Sequence, residues 1–270
     1  MTARLKCYIP FVSNEIKAVM AYKYAFFLRW LSNFLTAVVT YYLWSAIYAS
    51  SPSPVLAGFT AQEMSAYVIV SFFTTLIVST SSGGIWQMAR DITDGSIAMN
   101  LLKPINYQGI CISRSLGTLS VDAMIFGFPF LILFAVTGLL PVPSAEAALL
   151  YVASILLSFL VLYFFSFCFA TLAFYTTYYF GINIAKDVLV QFFSGSLIPL
   201  AFFPPAIGNV LRILPFASVN YTPVMIYLGK VSGREALLSM GLQAAWIAAL
   251  WGMGQLIWRH VTKRLVILGG

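Results

Sequence analysis

The chain has 270 residues, of which 61% are hydrophobic, 16% aromatic and only 9% charged. Soluble domains carry about 25% charged residues, so this composition belongs to a chain solvated by lipid and leaves no room for a separate water-soluble domain. The net charge of +7 does not point to nucleic acid, because the Lys and Arg residues sit in short segments between apolar runs, the pattern that sets membrane orientation.

The N-terminal segment MTARLKCYIPFVSNEIK is basic, and no apolar core with a small-residue cleavage site comes promptly after it. It is expected to stay as a cytoplasmic segment. Phe11, Val12, Ile16, Val19, Met20 and Tyr24 fall on one helical stripe, with Asn14, Glu15 and Lys17 opposite. Such a stripe suits a helix lying in the inner interface over residues 1–24; the plainer reading is an extension of the first span.

A bilayer-spanning helix needs about 20 mostly apolar residues. The first such run covers 25–48, with Arg29 near its start, placed to snorkel to the headgroups. The loop SSPSPVLAGFTAQE comes next without a Lys or Arg, and a second run covers 64–86. A third, 113–140, holds Asp122 and ends at the turn PVPSAE, and a fourth covers 147–174. After a polar junction at 178–187 the fifth run is set at 188–203. It leads into a stretch where Pro199, Pro204, Pro205, Pro215 and Pro223 rule out one straight helix. Broken backbone at membrane depth needs shelter from lipid, so 204–230 is expected to form short re-entrant helices near the outer face. The last run is 236–258. The expected class is therefore an all-α polytopic membrane protein, a single domain over 1–270 with six transmembrane helices.

Placing both termini in the cytoplasm puts twelve basic residues inside: Arg4, Lys6, Lys17, Lys23, Arg29, Arg90, Lys103, Arg114, Lys186, Arg259, Lys263 and Arg264. Only three, Arg212, Lys230 and Arg234, then lie outside. The basic excess favours this orientation in the cell inner (plasma) membrane.

Motifs for chemistry are sparse. The chain lacks G-x-x-x-x-G-K-[ST]; LGKVSG at 228–233 holds only its Gly-Lys pair. No G-x-S-x-G, H-E-x-x-H or paired carboxylates on one helical face occur. Cys7, Cys111 and Cys168 are too dispersed for a disulfide framework or a zinc site, and the lone His260 reads as an interfacial residue. No catalytic residue and no metal site are assigned.

Asp122, the one acid well inside a span, is a candidate intramembrane charge, structural or proton-coupling. Lys186 and Asp187 read as inner-interface anchors. Phe72, Phe73, Phe192 and Phe193 either line a translocation path or face lipid and neighbouring helices. Ser194, Gly195 and Ser196 beside them suit close approach at a subunit interface.

Between the second and third spans lies RDITDGSIAMNLLKP, residues 90–104. Asp94-Gly95 is a turn signal, Asp94 or Ser96 can cap the short helix SIAMNLL, and Lys103-Pro104 ends it. Ile97, Leu101 and Leu102 are expected on one face. From residues alone, the 89–105 segment is either a docking element or a plain turn.

Six spans, the N-terminal interfacial helix, the Pro-rich segment and the inner loop I-x-D-G-x-I-x-x-x-L-L-x-P-I (Ile92 to Ile105) resemble the integral-membrane permease of ABC-type exporters, of the second class of exporter permeases. More narrowly the chain is similar to a bacterial branch of permeases of about 260 residues. The resemblance implies an ABCG-like, type V exporter fold. It also implies a coupling helix seated on a separate cytoplasmic nucleotide-binding ATPase. Arg90, Asp91, Asp94, Gly95, Leu101, Leu102 and Pro104 would form that docking element, with spans two and five lining the path and the re-entrant helices forming the outer gate. Many relatives carry a glutamate where this chain has Asp91 and Asp94, which leaves open which acid meets the ATPase.

The chain is thus expected to be a transport subunit, itself without cofactor, whose partner carries the ATP and Mg. A second permease, identical or related, and membrane lipid complete the partners, with no nucleic acid. The substrate leaving the cytoplasm or inner leaflet is expected to be amphipathic, lipid-like or drug-like, though the sequence does not choose among drugs, lipids, peptides, glycolipids and polysaccharides. The rivals are a proton-coupled secondary carrier using Asp122 and a membrane scaffold without a path.

Overall fold

The computed structural model describes residues 7–262 apart from 137, 139, 177 and 178. The expected basic residues Arg4, Lys6, Lys263 and Arg264 lie outside that range. Helix takes up 80% of the described residues. In chain order the helices are α1 (Ile9–Ala21), α2 (Lys23–Ser50), α3 (Ala61–Ser79), α4 (Gly83–Thr93), α5 (Ile97–Leu101), α6 (Tyr107–Asp122), α7 (Phe128–Val136), α8 (Ala145–Ala170), α9 (Tyr179–Phe193), α10 (Pro205–Ile213), α11 (Tyr221–Tyr227) and α12 (Gly233–Thr262).

Among the described residues, four continuous helical stretches are long and apolar enough to cross a membrane: Ala61–Thr93, Tyr107–Val136, Ala145–Phe174 and Gly233–Thr262. The chain is a multi-pass helical membrane protein. α2, at 28 residues, is nearly as long as these, but its Tyr, Thr, Ser and Asn residues dilute its hydropathy, and α9, at 15 residues, is short.

Local chemistry explains the boundaries. α3 starts in a capping box, where the Thr60 side chain accepts from the Glu63 backbone and the Glu63 carboxylate accepts from Thr60. Before it, Val55–Leu56 and Phe59–Thr60 form a two-residue antiparallel hairpin, the one departure from an all-α chain among the described residues. A 3-10 turn at Thr80–Ser82 joins α3 to α4 in one continuous stretch. α6 is capped by the Asn106 side chain, starts six residues earlier than expected, and passes through a π turn at Ala123–Gly127 into α7.

The expected polar junction at 178–187 is corrected. From Tyr179 onward it is helix, because its polar side chains satisfy one another at helical spacing: Asn183 Nδ2 donates to Asp187 Oδ2 at 2.7 Å. That helix ends at Phe193, so the expected fifth run at 188–203 straddles a helix end. Beyond it come Gly195 in a left-handed turn, a short 3-10 turn, and then α10 and α11, whose bounds track the prolines.

α3 is the central element. Its Val70, Phe73, Ile77 and Val78 join Ile155 and Phe159 of α8 and Val224 and Ile226 of α11 in the main core. Several polar groups inside that core are bonded across helices, as burial favours. Gln243 of α12 donates to the Ser218 carbonyl at 2.9 Å and accepts from Ser154 of α8 at 3.1 Å. A second cluster, Ile85, Met88 and Ile97 with Tyr107, Ile110 and Cys111, packs the α4–α5 corner against α6 and α8. There Gly84 is obligatory in size: a Cβ would lie 2.0 Å from the Cys111 carbonyl oxygen.

Candidate functional site: the α4–α5 corner and the charged pairs beside it

The segment singled out in the sequence folds as a helix, a tight turn and a one-turn helix. Gly95 makes the turn with φ of +81°, a conformation that side chains with a Cβ adopt at a cost. Ser96 donates to Asp94 Oδ1 from its hydroxyl at 2.7 Å and its backbone N–H at 3.0 Å. These bonds hold the exposed Asp94 carboxyl below its ordinary range, so it is ionised at neutral pH.

The seven expected docking residues divide into two groups. Arg90, Asp94, Gly95, Leu101, Leu102 and Pro104 are exposed. Asp91 is not: it is 3% exposed and faces inward. Its Oδ1 accepts from Gln87 Nε2 at 2.8 Å and lies 3.3 Å from the Ser96 hydroxyl. Its Oδ2 accepts from Asn100 Nδ2 at 2.8 Å and the Tyr107 hydroxyl at 2.6 Å. One carboxylate thus ties α4, the turn, α5 and α6 together, and it cannot touch another chain without breaking the corner. Asp91 organises the corner from within.

The expected common face of Ile97, Leu101 and Leu102 is also corrected. Ile97 is buried in the second cluster, whereas Leu102 is 80% exposed and Met99 69%. Two faces result because a single turn of helix anchored through Ile97 must turn Met99 outward. The exposed apolar ledge is Met99, Leu101 and Leu102, edged by Arg90, Asp94 and Lys103. Sequence reasoning missed Met99.

Asp122 has a partner. Arg29 Nη2 lies 2.9 Å from each of its carboxylate oxygens, so the arginine expected to snorkel to the headgroups reaches across to α6 instead. Lys186, expected at an interface, is fully buried. Its ammonium donates to Ser166 Oγ at 3.0 Å and pairs with Asp187 at 3.0 Å.

The four phenylalanines do not form one surface. Phe73 is 2% exposed and packs on Phe130 and Phe134, so it belongs to the core. Phe72 contacts Phe34 edge-on and borders open space on either side. Phe192 meets Phe203, and Phe193 meets Phe216, in a separate aromatic group. Ser194 is buried and its carbonyl accepts from the Tyr221 N–H at 3.0 Å, while the Gly195 carbonyl accepts from Tyr67 at 2.6 Å. That turn is therefore engaged within the chain. Among the described residues no three His, Cys, Asp or Glu side chains converge where a metal could sit.

Compared with known protein families, the chain matches the one described as "ABC-2 family transporter protein" over residues 34–269. No curated protein matches it.

Proposed function

The chain belongs to the ABC-2 family of transporter proteins, and from that membership we propose that it is the membrane permease of an ATP-driven exporter. Families of this kind normally work with an ATPase subunit. In this reading the α4–α5 corner lies in the cytoplasm and seats on a separate nucleotide-binding chain, which carries ATP and Mg. Six helical passes are reached by counting α2 and α9 with the four long stretches, and α10 and α11 are the re-entrant pair at the outer face. Two permeases, identical or related, enclose the path in the inner membrane, with α3 and α9 bordering it. An amphipathic substrate leaves the cytoplasm or inner leaflet.

The observation that carries the reading is the corner itself. A fold that hides one carboxylate to hold a one-turn helix in place, while leaving Met99, Leu101 and Leu102 exposed, has the form of a docking element. Exposed apolar side chains rimmed by charge mark interaction sites. A rigid corner can transmit the motion of a partner, where a loose loop would absorb it. The carrier alternative draws less support, because Asp122 is already engaged in an ion pair with Arg29, whose Nη2 contacts both of its oxygens.

The test is association. Co-expressed with its ATPase, the tagged chain is expected to retain it through purification, and Leu102→Glu to lose it while the permease stays folded. An isolated chain that transports along a proton gradient, and stops on Asp122→Asn, overturns the reading.

A further inference from the structure

Three adjoining cavities run along α3, the first two reaching α9 and the third lying between α2 and α7. The first, of about 310 Å³, is lined by Arg29, Thr75, Asp187, Gln191, Ser196 and Asn220 among others. The second, about 150 Å³, shares Thr75, Gln191 and Ser196 with it. The third, about 280 Å³, shares Ala37, Val68 and Phe72 with the second, and its remaining walls are mainly aromatic, including Trp30, Phe34 and Phe130. The first and third are each near the lower end of the roughly 300–1,000 Å³ typical of small-ligand sites. Together they form one track, polar at one end and aromatic at the other.

The charges at the polar end cancel in pairs. Arg29 faces Asp122, and Asp187 faces Lys186. A further net charge placed there would lack a counter-charge at membrane depth, which is costly. The hydroxyls at that end are mostly committed as donors: Ser79 to the Leu76 carbonyl, Thr80 to Ile77, and Ser196 to Gln191. Their oxygens keep lone pairs as acceptors, and the Gln191 amide adds both a carbonyl acceptor and N–H donors. The complementary headgroup is uncharged and rich in hydroxyl donors, and the complementary tail is apolar and reaches Phe72 and Trp30.

We propose that this track binds an amphiphile with an uncharged, hydroxyl-rich headgroup of the glycoside kind, with the head at Gln191 and Thr75 and the tail against Phe72 and Trp30. The role of the ligand as cargo rests on the transporter reading above; its binding does not. The probe is a decyl β-glucoside brominated at the tail end, titrated into the full chain in lipid nanodiscs, with tail-brominated decyl sulfate and decyl trimethylammonium as comparisons. Bromine quenches nearby indole fluorescence. The expected result is saturable quenching by the glucoside, about tenfold stronger than by either charged probe, with Trp30→Phe removing the saturable part. Gln191→Leu, at an exposed position that does not threaten folding, is expected to weaken glucoside binding about tenfold, the equivalent of one good hydrogen bond. Phe72→Ala is expected to weaken all three probes alike. Equal quenching by the three headgroups, tighter binding of a charged probe, or no saturable component overturns the proposal. Headgroup-selective binding in a chain that holds no ATPase keeps the site and overturns the exporter reading instead.

Discussion

The Tyr107 hydroxyl lies 2.6 Å from Asp91 Oδ2 and joins the first residue of α6 to the last turns of α4. The same ring stacks on Trp258 of α12, so the short corner is tied through one tyrosine to the far end of the chain. Hydrogen bonds to a charged group contribute about 1.5–3 kcal/mol. Tyr107→Phe keeps the stacking and loses the bond, and is expected to destabilise the folded chain by about that amount. Asp91→Ala, which releases three donors at once, is expected to cost more than Asp94→Ala, where the side chain is exposed. Thermal unfolding in detergent, monitored by tryptophan emission, ranks the three. An equal effect of the two aspartate variants would sink the assignment of Asp91 as organiser.

The ledge separates cleanly from this scaffold. Leu102→Glu and Met99→Glu alter exposed side chains, and such changes usually shift stability by no more than about 0.5 kcal/mol. Both are expected to leave the unfolding temperature in place and to weaken ATPase association at least tenfold, read by titrating the purified ATPase onto immobilised permease. If Leu102→Glu binds as the parent does, the docking surface lies elsewhere.

Two glycines test the geometry for different reasons. At Gly95 nothing lies within 4 Å of the place a methyl would take, so Gly95→Ala meets only the backbone cost of positive φ, about 1 kcal/mol. At Gly84 the obstacle is the Cys111 carbonyl, which is backbone and cannot swing aside. Gly84→Ala must separate α4 from α6, at an expected cost of about 1–3 kcal/mol or more. Comparing the two unfolding curves decides the point; a Gly84→Ala variant as stable as the parent contradicts the close crossing.

Much of the helical plan was legible because apolar runs of about 20 residues are a strong signal, and Asp94-Gly95 and the prolines announce turns by their own chemistry. T-A-Q-E at 60–63 also spells a capping box that would have moved the start of α3 to Ala61. The illegible part depended on partners distant in sequence. Asp91 and Asp94 look alike in a string of letters, and only the arrival of Tyr107 and Asn100 makes one buried and the other exposed. Lys186 was placed at an interface because an isolated lysine belongs there; the hydroxyls of Ser82 and Ser166, supplied by the α3–α4 joint and α8, let it lie inside. The same holds for Arg29, whose acceptor lies 93 positions away.

That last pair carries a prediction whose sign is set by burial. Asp122 is almost wholly buried, whereas the Arg29 side chain is 45% exposed. Removing the arginine leaves a carboxylate inside without its counter-charge, while removing the carboxylate returns a cation to a position from which it can reach water or headgroups. Arg29→Met is therefore expected to destabilise more than Asp122→Asn, by about 1–3 kcal/mol, below the roughly 3–5 kcal/mol of a pair wholly out of water. Adding Asp122→Asn to Arg29→Met is expected to recover part of the loss, so the double variant unfolds above the single arginine variant. A thermal-unfolding cycle over the four chains measures this coupling. Simple additivity would show that the two groups, though 2.9 Å apart, contribute independently. Reconstituted with the ATPase, the Asp122→Asn chain is expected to keep ATP-driven transport, because in this reading the pair serves to hold α2 to α6.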